Sequence, residues 1–544
     1  MSPHQAEERR RWVRLTRICN NRCVFCHDCL SHDGSRRPVE ELEAELRAGL
    51  AEGAARLILS GGEPTLHPAF LELVARGRAL GYRWVQVVSN GRMFAYPGFA
   101  REAAERGLCE ATFSIHGQTP GLHDRLTGVA GSFAQALAGI HNLQRAGLVV
   151  NADVVLNAWN LPVLHEIIGF LLARGIREFD LLWLVPFGRA WERRRELFVR
   201  PEDAAPALRR TIELAREAGA VVWTNRLPAA ALEGLEELIQ DPHKLLDEVR
   251  GRATELAGWL ERDEPMACRD PERCGVCFLG GFCASLERWR EQVRAGMLQG
   301  LRLAWAQRDA PQARRWAART RRLWLAAPSR AAAAAWLAGL GRQPEELVLE
   351  LQAGAEREQG GESAAAGQPG GIRLVRLASS DPRVLEALWT AGTPSLEVIL
   401  DRWSAAWVAD QAGGLSQGPA RFLLSLKRFS SREAAREQGC DPHLALAPLA
   451  GSPMRVGDMP WCASRAAQPL AEPGCLSCEA LGPDGGLDLP GLAEHYLREE
   501  YGLHAARCAS CGLRPRCPGM PAQHARWLGL ARLVPRPADV QTSN

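Results

Sequence analysis

Cys19-Asn20-Asn21-Arg22-Cys23-Val24-Phe25-Cys26 stands directly behind a short apolar run, Trp12–Thr16, and it decides how the rest of the chain is read. Three cysteines at C-x3-C-x2-C in one loop can wrap a cubane iron–sulfur cluster and leave one iron without a protein ligand. Zinc is the competing reading, with Cys29 as a fourth thiolate. The chain holds 16 cysteines in 544 residues, and their clustered spacing in a reducing compartment points to metal or iron–sulfur ligation, not disulfides. Hydrophobic residues at 46% and charged residues at 24% describe ordinary globular domains and exclude collagenous, coiled-coil and wholly disordered classes. No apolar run reaches the roughly 18 residues of a membrane span, and the first residues are charged with no apolar core. A membrane or secretory role is therefore not expected, and the cytoplasm is the expected location. The net charge of +3 gives no reason to expect a polyanionic partner for the whole chain.

Outward from the cysteine loop, apolar runs alternate with amphipathic segments as far as Val185. Strands are expected at Trp12–Thr16, Arg56–Ser60, Trp84–Ser89, Ala111–Ile115, Val149–Leu156 and Phe179–Val185. Helices are expected between them, with Gly53, Gly81, Gly107, Gly147 and Gly175 as their stops. Such alternation means βαβ units and a parallel sheet, either an open barrel or a doubly wound sheet.

Further motifs stand at the ends of these strands. The second ends in Ser60-Gly61-Gly62-Glu63-Pro64-Thr65, the third in Ser89-Asn90-Gly91 and the fourth in Ser114-Ile115-His116-Gly117. Glycines admit a close backbone approach, a carboxylate receives an ammonium, and α/β folds bind ligands at C-terminal strand ends. The triad with Phe25 before its third cysteine, and the GGE element one strand later, resemble the radical S-adenosylmethionine (SAM) superfamily. So does His123-Asp124-Arg125-Leu126-Thr127-Gly128, although many relatives carry Arg where this chain has Thr127. The resemblance implies that Cys19, Cys23 and Cys26 are the catalytic ligands of a [4Fe–4S] cluster with an open iron site. It further implies that SAM lies against Phe25, Gly61, Gly62, Glu63, Ser89, Asn90 and Ser114, and that the fold is a partial (β/α)6 radical SAM barrel. Asn157 and Arg189, past the fifth and sixth strands, are weaker cofactor or substrate candidates, and His116 and His123 are read equally well as turn residues. The activity implied is reductive cleavage of SAM to a 5′-deoxyadenosyl radical.

Cys268, Cys274, Cys277 and Cys283 suffice for one complete cluster, and C-x2-C-x5-C resembles the SPASM and twitch domains that carry auxiliary clusters. The same spacing returns at Cys508, Cys511 and Cys517, with Cys462, Cys475 or Cys478 as the fourth ligand. One or two auxiliary [4Fe–4S] clusters are expected, with zinc as the alternative; Cys475, Cys478, Cys508 and Cys511 would make such a zinc site. Isolated Cys109 and Cys440 read as buried apolar residues. Upstream Met266 and Cys268 parallel Met459 and Cys462, which raises a degenerate duplication, although the second half has no cysteine triad.

The expected organisation is α/β: a radical SAM barrel over 1–200, then a helical extension and SPASM-like cluster region over 201–285. An Arg/Trp-rich helical segment over 286–351, a flexible linker over 352–371, and a C-terminal α+β domain over 372–544 with a loose tail from Pro535 follow. The basic segment, with 12 Arg against 3 acidic residues from Ser285 to Arg342, reads either as an RNA- or peptide-binding surface or as helices with Trp in the core. Three functions follow in order: a SPASM-like maturase acting on a peptide or protein side chain, a radical SAM enzyme acting on RNA or a small metabolite, and a non-catalytic iron–sulfur or zinc scaffold. The first two need an electron donor such as flavodoxin or ferredoxin.

Overall fold

The computed structural model describes residues 9–351, 372–390, 395–417, 422–449, 455–463, 468–469 and 474–536. The chain divides into two compact units, one of Met1–Leu232 with Asp270–Phe278, the other of Glu233–Arg269 with Leu279–Asn544.

In the first unit, β1 (Arg10–Thr16), β2 (Arg56–Gly61), β3 (Trp84–Ser89), β4 (Glu110–Ser114), β5 (Val149–Val155), β6 (Glu178–Leu182) and β7 (Val221–Asn225) form one sheet. Every neighbouring pair is parallel and the strand order never departs from the chain order. A doubly wound sheet reverses its order and buries apolar side chains on both faces. This sheet does neither. One face carries Val13, Leu15, Leu57, Leu59, Val85, Val87, Phe113, Ala152 and Phe179, all buried. Each such Leu, Val or Phe contributes about 1.5–3 kcal/mol by leaving water. The register puts Ser60, Gln86, Thr112, Ser114, Asn151, Asp153, Asp180 and Asn225 on the opposite face. The chain-ordered strands and this polar face argue against the doubly wound alternative. The expected helices form within two or three residues of their expected bounds, among them Val39–Ala51, Phe70–Leu80 and Ser132–Arg145. All five expected glycine stops lie at positive φ.

The strand β7 corrects the helical extension expected from Pro201 onward. Helix Pro201–Glu217 does form, but Val-Val-Trp-Thr-Asn after it adds a seventh strand, its β-branched and aromatic residues outweighing the charged surroundings.

The second unit contradicts the expected helical segment and α+β domain. Here β8 (Leu298–Ala304), β9 (Thr320–Ala327), β10 (Glu346–Leu351), β11 (Arg373–Ser379), β12 (Leu396–Leu400), β13 (Phe422–Leu426), β14 (Arg455–Val456), β15 (Gln468–Pro469) and β16 (Leu476–Ser477) share one parallel sheet. The stretch 286–351 thus alternates strand and helix. Trp289, Trp316 and Trp336 are buried in it, as the core reading requires. The residues 352–371 lie outside those described, but β10 and β11 on either side of them are hydrogen-bonded neighbours. No domain boundary falls there.

Leu301, Leu323, Leu347, Leu377 and Leu396 line the apolar face of this second sheet, and Arg302, Trp324, Glu350, Arg376 and Glu397 the polar one. The charges of that polar face neutralise one another: Arg302 with Glu350 (3.2 Å) and Glu499 (3.0 Å), Arg376 with Glu397 (2.8 Å). Both sheets are parallel with one polar face and both precede a C-x2-C-x5-C motif; the second runs in chain order from β8 to β15 and departs from it at β16, which pairs with β8. Among the described residues no helix is long and apolar enough to cross a membrane.

Candidate functional site

The cysteine loop leaves β1 and is held by backbone contacts on two sides. The N–H groups of Gly62 and Glu63 donate to the Thr16 and Ile18 carbonyls at 2.8 and 2.7 Å, tying the loop to the end of β2. A Cβ on Gly61 or Gly62 would stand 2.5 Å from the Thr16 oxygen or 2.4 Å from the Ile18 oxygen, and Gly61 has φ +141°. The two glycines are thus required by the chain's own backbone, not only by a ligand. On the other side, Arg22 and Val24 N–H groups donate to the Thr127 and Leu126 carbonyls, each at 2.9 Å. Thr127 is buried and bonded to Ser132, so the position where relatives carry Arg serves here as an anchor for the loop.

Burial pushes the Cys23 thiol well above its ordinary value and Cys26 up to about 11. The neighbouring triad thiols push the same way at both sites. Burial raises Cys19 too, where a backbone N–H of Asn21 and the Arg92 cation act against it and Glu63 acts with it. The three thiols come from one loop and influence one another's ionisation, a soft donor set of the kind that a positive metal centre would ionise. Cys29 stands beside Cys26, its Sγ accepting from Arg189 N–H at 3.3 Å.

Glu63 is buried under this loop. Its Oε1 accepts from Ser89 Oγ (2.8 Å) and from the Thr65 hydroxyl and N–H, and its Oε2 from Asn90 N–H (2.8 Å). The carboxylate thereby braces the ends of β2 and β3. Asn90 in turn donates to Asn20 Oδ1 at 2.7 Å. Phe25 packs edge-on against His116, ring centroids 4.6 Å apart, beneath the same loop. His116 accepts from Val155 N–H and His123 from His116 N–H, and burial holds both rings neutral, His123 at about 4. The turn reading of the two histidines is the one the geometry supports. Asn157 spends its amide within its own turn, accepting from Trp159 N–H and donating to Val155 O, both at 3.0 Å. Arg189 N–H donates to the Cys26 carbonyl at 3.0 Å, and its charge eases ionisation of Cys23.

Three residues of this site have no signal in the sequence. Arg92 reaches the cysteine loop from the end of β3. Asp153 and Asp180 are direct partners across β5 and β6, at the register level of Ser114. Lower on the same face, Arg56, Trp84 and Asn151 satisfy Glu110. The acid pair has no such cover: Asn225 bonds Asp180, but its Oδ1 is shielded from water and without a partner.

Of the late cysteines, Cys274 and Cys277 belong to the first unit, at the end of helix Pro271–Val276, and Cys268 and Cys283 to the second. Arg252 donates to Cys268 Sγ at 3.0 Å. The C-terminal set is gathered. Cys462, Cys508, Cys511 and Cys517 line one small cavity with Trp461 and His504. Cys475 lies elsewhere, its Sγ against Gly300 of β8, and Cys478 is buried in a separate turn, so neither is a fourth ligand here and the four-thiolate pairing of Cys475 and Cys478 with Cys508 and Cys511 is not assembled. Pro535 lines the cavity and Arg536 N–H donates to Cys511 Sγ at 3.4 Å, so these first residues of the expected loose tail are engaged; residues 537–544 lie outside those described. Cys440 is buried, as expected, and Cys109 is half-buried. Among the described residues no group of three or more His, Cys, Asp or Glu side chains is arranged to hold a metal ion by itself.

Residues 13–168 match the family model described as the radical SAM superfamily. A probable GTP 3′,8-cyclase of Sulfurisphaera tokodaii is 30% identical over 178 residues, which are 32% of this chain and 56% of that protein. An AdoMet-dependent heme synthase of Oleidesulfovibrio alaskensis is 29% identical over 181 residues, 32% of this chain and 45% of that protein. The chain thus spans about half the length of the curated relatives it matches. Among solved structures, Streptococcus suis SuiB bound to precursor peptide SuiA aligns at 15% identity and TM-score 0.36, over 43% of this chain and 52% of that one. Native anSMEcpe with bound AdoMet and a Kp18Cys peptide aligns at 14% identity and TM-score 0.33, over 39% and 63%. The cysteine triad, the GGE turn and strands β2 to β5 all fall within residues 13–168, the stretch of this chain that matches the radical SAM superfamily.

Proposed function

We propose that the chain is an enzyme that cleaves SAM reductively and modifies a peptide or protein side chain. The observation that carries the first half is the direct backbone packing of Thr16–Ile18 on Gly62 and Glu63, with Ser89 and Asn90 bound to Glu63. It draws the triad, the GGE turn and the third-strand turn to one end of one sheet, the C-terminal strand ends of an open barrel. The donor set fits a [4Fe–4S] cluster with one open iron: three thiols from a single loop, with Cys29 beside Cys26 already accepting from the Arg189 N–H. Cys19, Cys23 and Cys26 would hold the cluster, and Phe25, Gly61, Gly62, Glu63, Ser89, Asn90 and Ser114 would border SAM. Together the two cofactors supply a 5′-deoxyadenosyl radical, and the electron comes from a flavodoxin- or ferredoxin-type donor. The chain's own work is to brace the loop through Glu63, to exclude water with Phe25 and the buried histidines, and to present the acid-lined face to the substrate.

The four-thiol cavity of Cys462, Cys508, Cys511 and Cys517 supports the second half, as the place of an auxiliary cluster; Cys268, Cys274, Cys277 and Cys283 are proposed for another. A small-molecule substrate is the second reading, favoured by the relatives' names over the first third of the chain.

Anaerobically reconstituted protein given dithionite and SAM should release 5′-deoxyadenosine, and the variant with Cys19, Cys23 and Cys26 all replaced by Ala should not. Undiminished release from that variant overturns the reading. Wild type should hold about twelve irons and the triple variant about eight. Zinc in place of that remainder would move the small-molecule reading ahead.

A further inference from the structure

We propose that Arg92 is a positioning residue that clamps the cysteine loop and, by its uncompensated charge, makes the cluster held there easier to reduce. This rests on the radical SAM reading above.

Arg92 is the residue after Ser89-Asn90-Gly91, at the C-terminal end of β3. Its Nη1 donates to the Asn20 carbonyl at 2.5 Å and to Asn21 Oδ1 at 3.0 Å, and its Nε donates to Gln135 Oε1 at 2.6 Å. Three segments meet on one guanidinium: the third-strand turn, the cysteine loop between its first two ligands, and helix Ser132–Arg145. Asn20 is fixed twice, since Asn90 also bonds its side chain. Asn21 N–H donates to Cys19 Sγ at 3.4 Å, so the clamp acts one hydrogen bond away from a ligand sulfur.

The partners of Arg92 are all neutral amides. Among the described residues no carboxylate pairs with it, unlike Arg302 and Arg376 on the second sheet. A half-buried guanidinium with neutral acceptors keeps its full charge for its surroundings, and a guanidinium does not lose its proton. That charge is held against Asn21, whose N–H bonds the Cys19 sulfur. A cluster on three thiolates gains one negative charge when a one-electron reductant fills it, with no bond made or broken. A fixed cation nearby favours the filled state, and removing it favours the empty one.

The test uses the full chain, reconstituted anaerobically, as wild type, Arg92→Gln, Arg92→Lys and Gln135→Glu. Each is titrated with dithionite through redox mediators while electron paramagnetic resonance follows the signal that changes on adding SAM, which isolates the triad from auxiliary clusters. Arg92→Gln removes the charge. Gln135→Glu keeps the clamp but sets a carboxylate against Nε, so a purely structural role leaves it like wild type. Both variants are expected to be harder to reduce by about tenfold in the equilibrium, which for one electron is about 59 mV. Arg92→Lys should stay near wild type in potential yet release iron to a chelator faster, having lost the fork. If Arg92→Gln fails to take up iron, the Gln135→Glu titration decides. Unchanged potentials in the charge-altering variants that load iron overturn the proposal. Absence of any SAM-responsive signal in wild type overturns instead the radical SAM reading on which it rests.

Discussion

Replacing Asp180 by Asn should stabilise the first unit, and only in the upper part of the pH range. Asp180 and Asp153 face each other across β5 and β6, with the Arg226 and Arg10 charges acting on Asp180. Burial pushes Asp180 up to about 6, against the help of Asn225 and Arg226, and pushes Asp153 up as well, with the Asp180 charge adding to it. A carboxyl with a higher pKa in the folded than in the unfolded state binds its proton more tightly when folded. Stability therefore falls as pH rises from the unfolded value near 4 to the folded value near 6, and stays reduced above it. A displacement of about two pKa units corresponds to about 3 kcal/mol. Asn keeps an oxygen for Asn225 and adds a donor for Asp153, so most of that sum returns, about 1–3 kcal/mol at pH 8 and close to nothing at pH 4. Amide hydrogen exchange of the β5 and β6 backbone at the two pH values reads this locally, where a whole-chain melting curve would mix both units. Slower exchange in Asp180→Asn at high pH with no difference at low pH is the expected pattern. Faster exchange at pH 8, or a gain of the same size at pH 4, would refute the reasoning.

Gly62→Ala should block loading of the triad, because its Cβ would stand 2.4 Å from the Ile18 oxygen; iron analysis should show a loss of about four per chain. Glu63→Gln places an amide donor among the N–H and hydroxyl donors of Thr65, Ser89 and Asn90, and should weaken SAM binding by at least about tenfold in equilibrium dialysis. Cys462→Ser should lower the iron count by about four while Cys475→Ser leaves it unchanged, since only Cys462 lines the cavity with Cys508, Cys511 and Cys517.

The first six strands, their helices and the glycine stops were legible because hydrophobic period and capping point the same way there. The choice of winding was not, since it depends on which face of each strand meets helices, and only the register reveals that Asp153 and Asp180 share a face with Ser60 and Ser114. The strands β8, β9 and β10 were hidden by their own inner face. Arg302, Arg322 and Trp324 look like a solvated helix surface, yet inside the sheet Arg302 and Arg322 find Glu350 and Glu346. Spacing showed Cys508, Cys511 and Cys517 as a set with Cys462, Cys475 and Cys478 as candidate companions; that Cys462 lines the same cavity shows only in the fold. Arg92 left no trace at all, because a clamp is defined by what it touches and its partners Asn20, Asn21 and Gln135 are ordinary residues.

The neighbourhood of β10 and β11 has a practical consequence. Those strands are held by five registered pairs, Glu346 with Arg373 through to Glu350 with Ala378, and each continues to a further strand on its outer side, β9 and β12. A chain cut anywhere between Leu351 and Ile372 would leave two fragments whose edges are already complementary. They should co-purify after limited proteolysis and reassociate when expressed separately. That makes the point between the two strands the natural one for joining differently isotope-labelled halves, or for inserting an affinity handle, without interrupting the hydrogen-bond ladder.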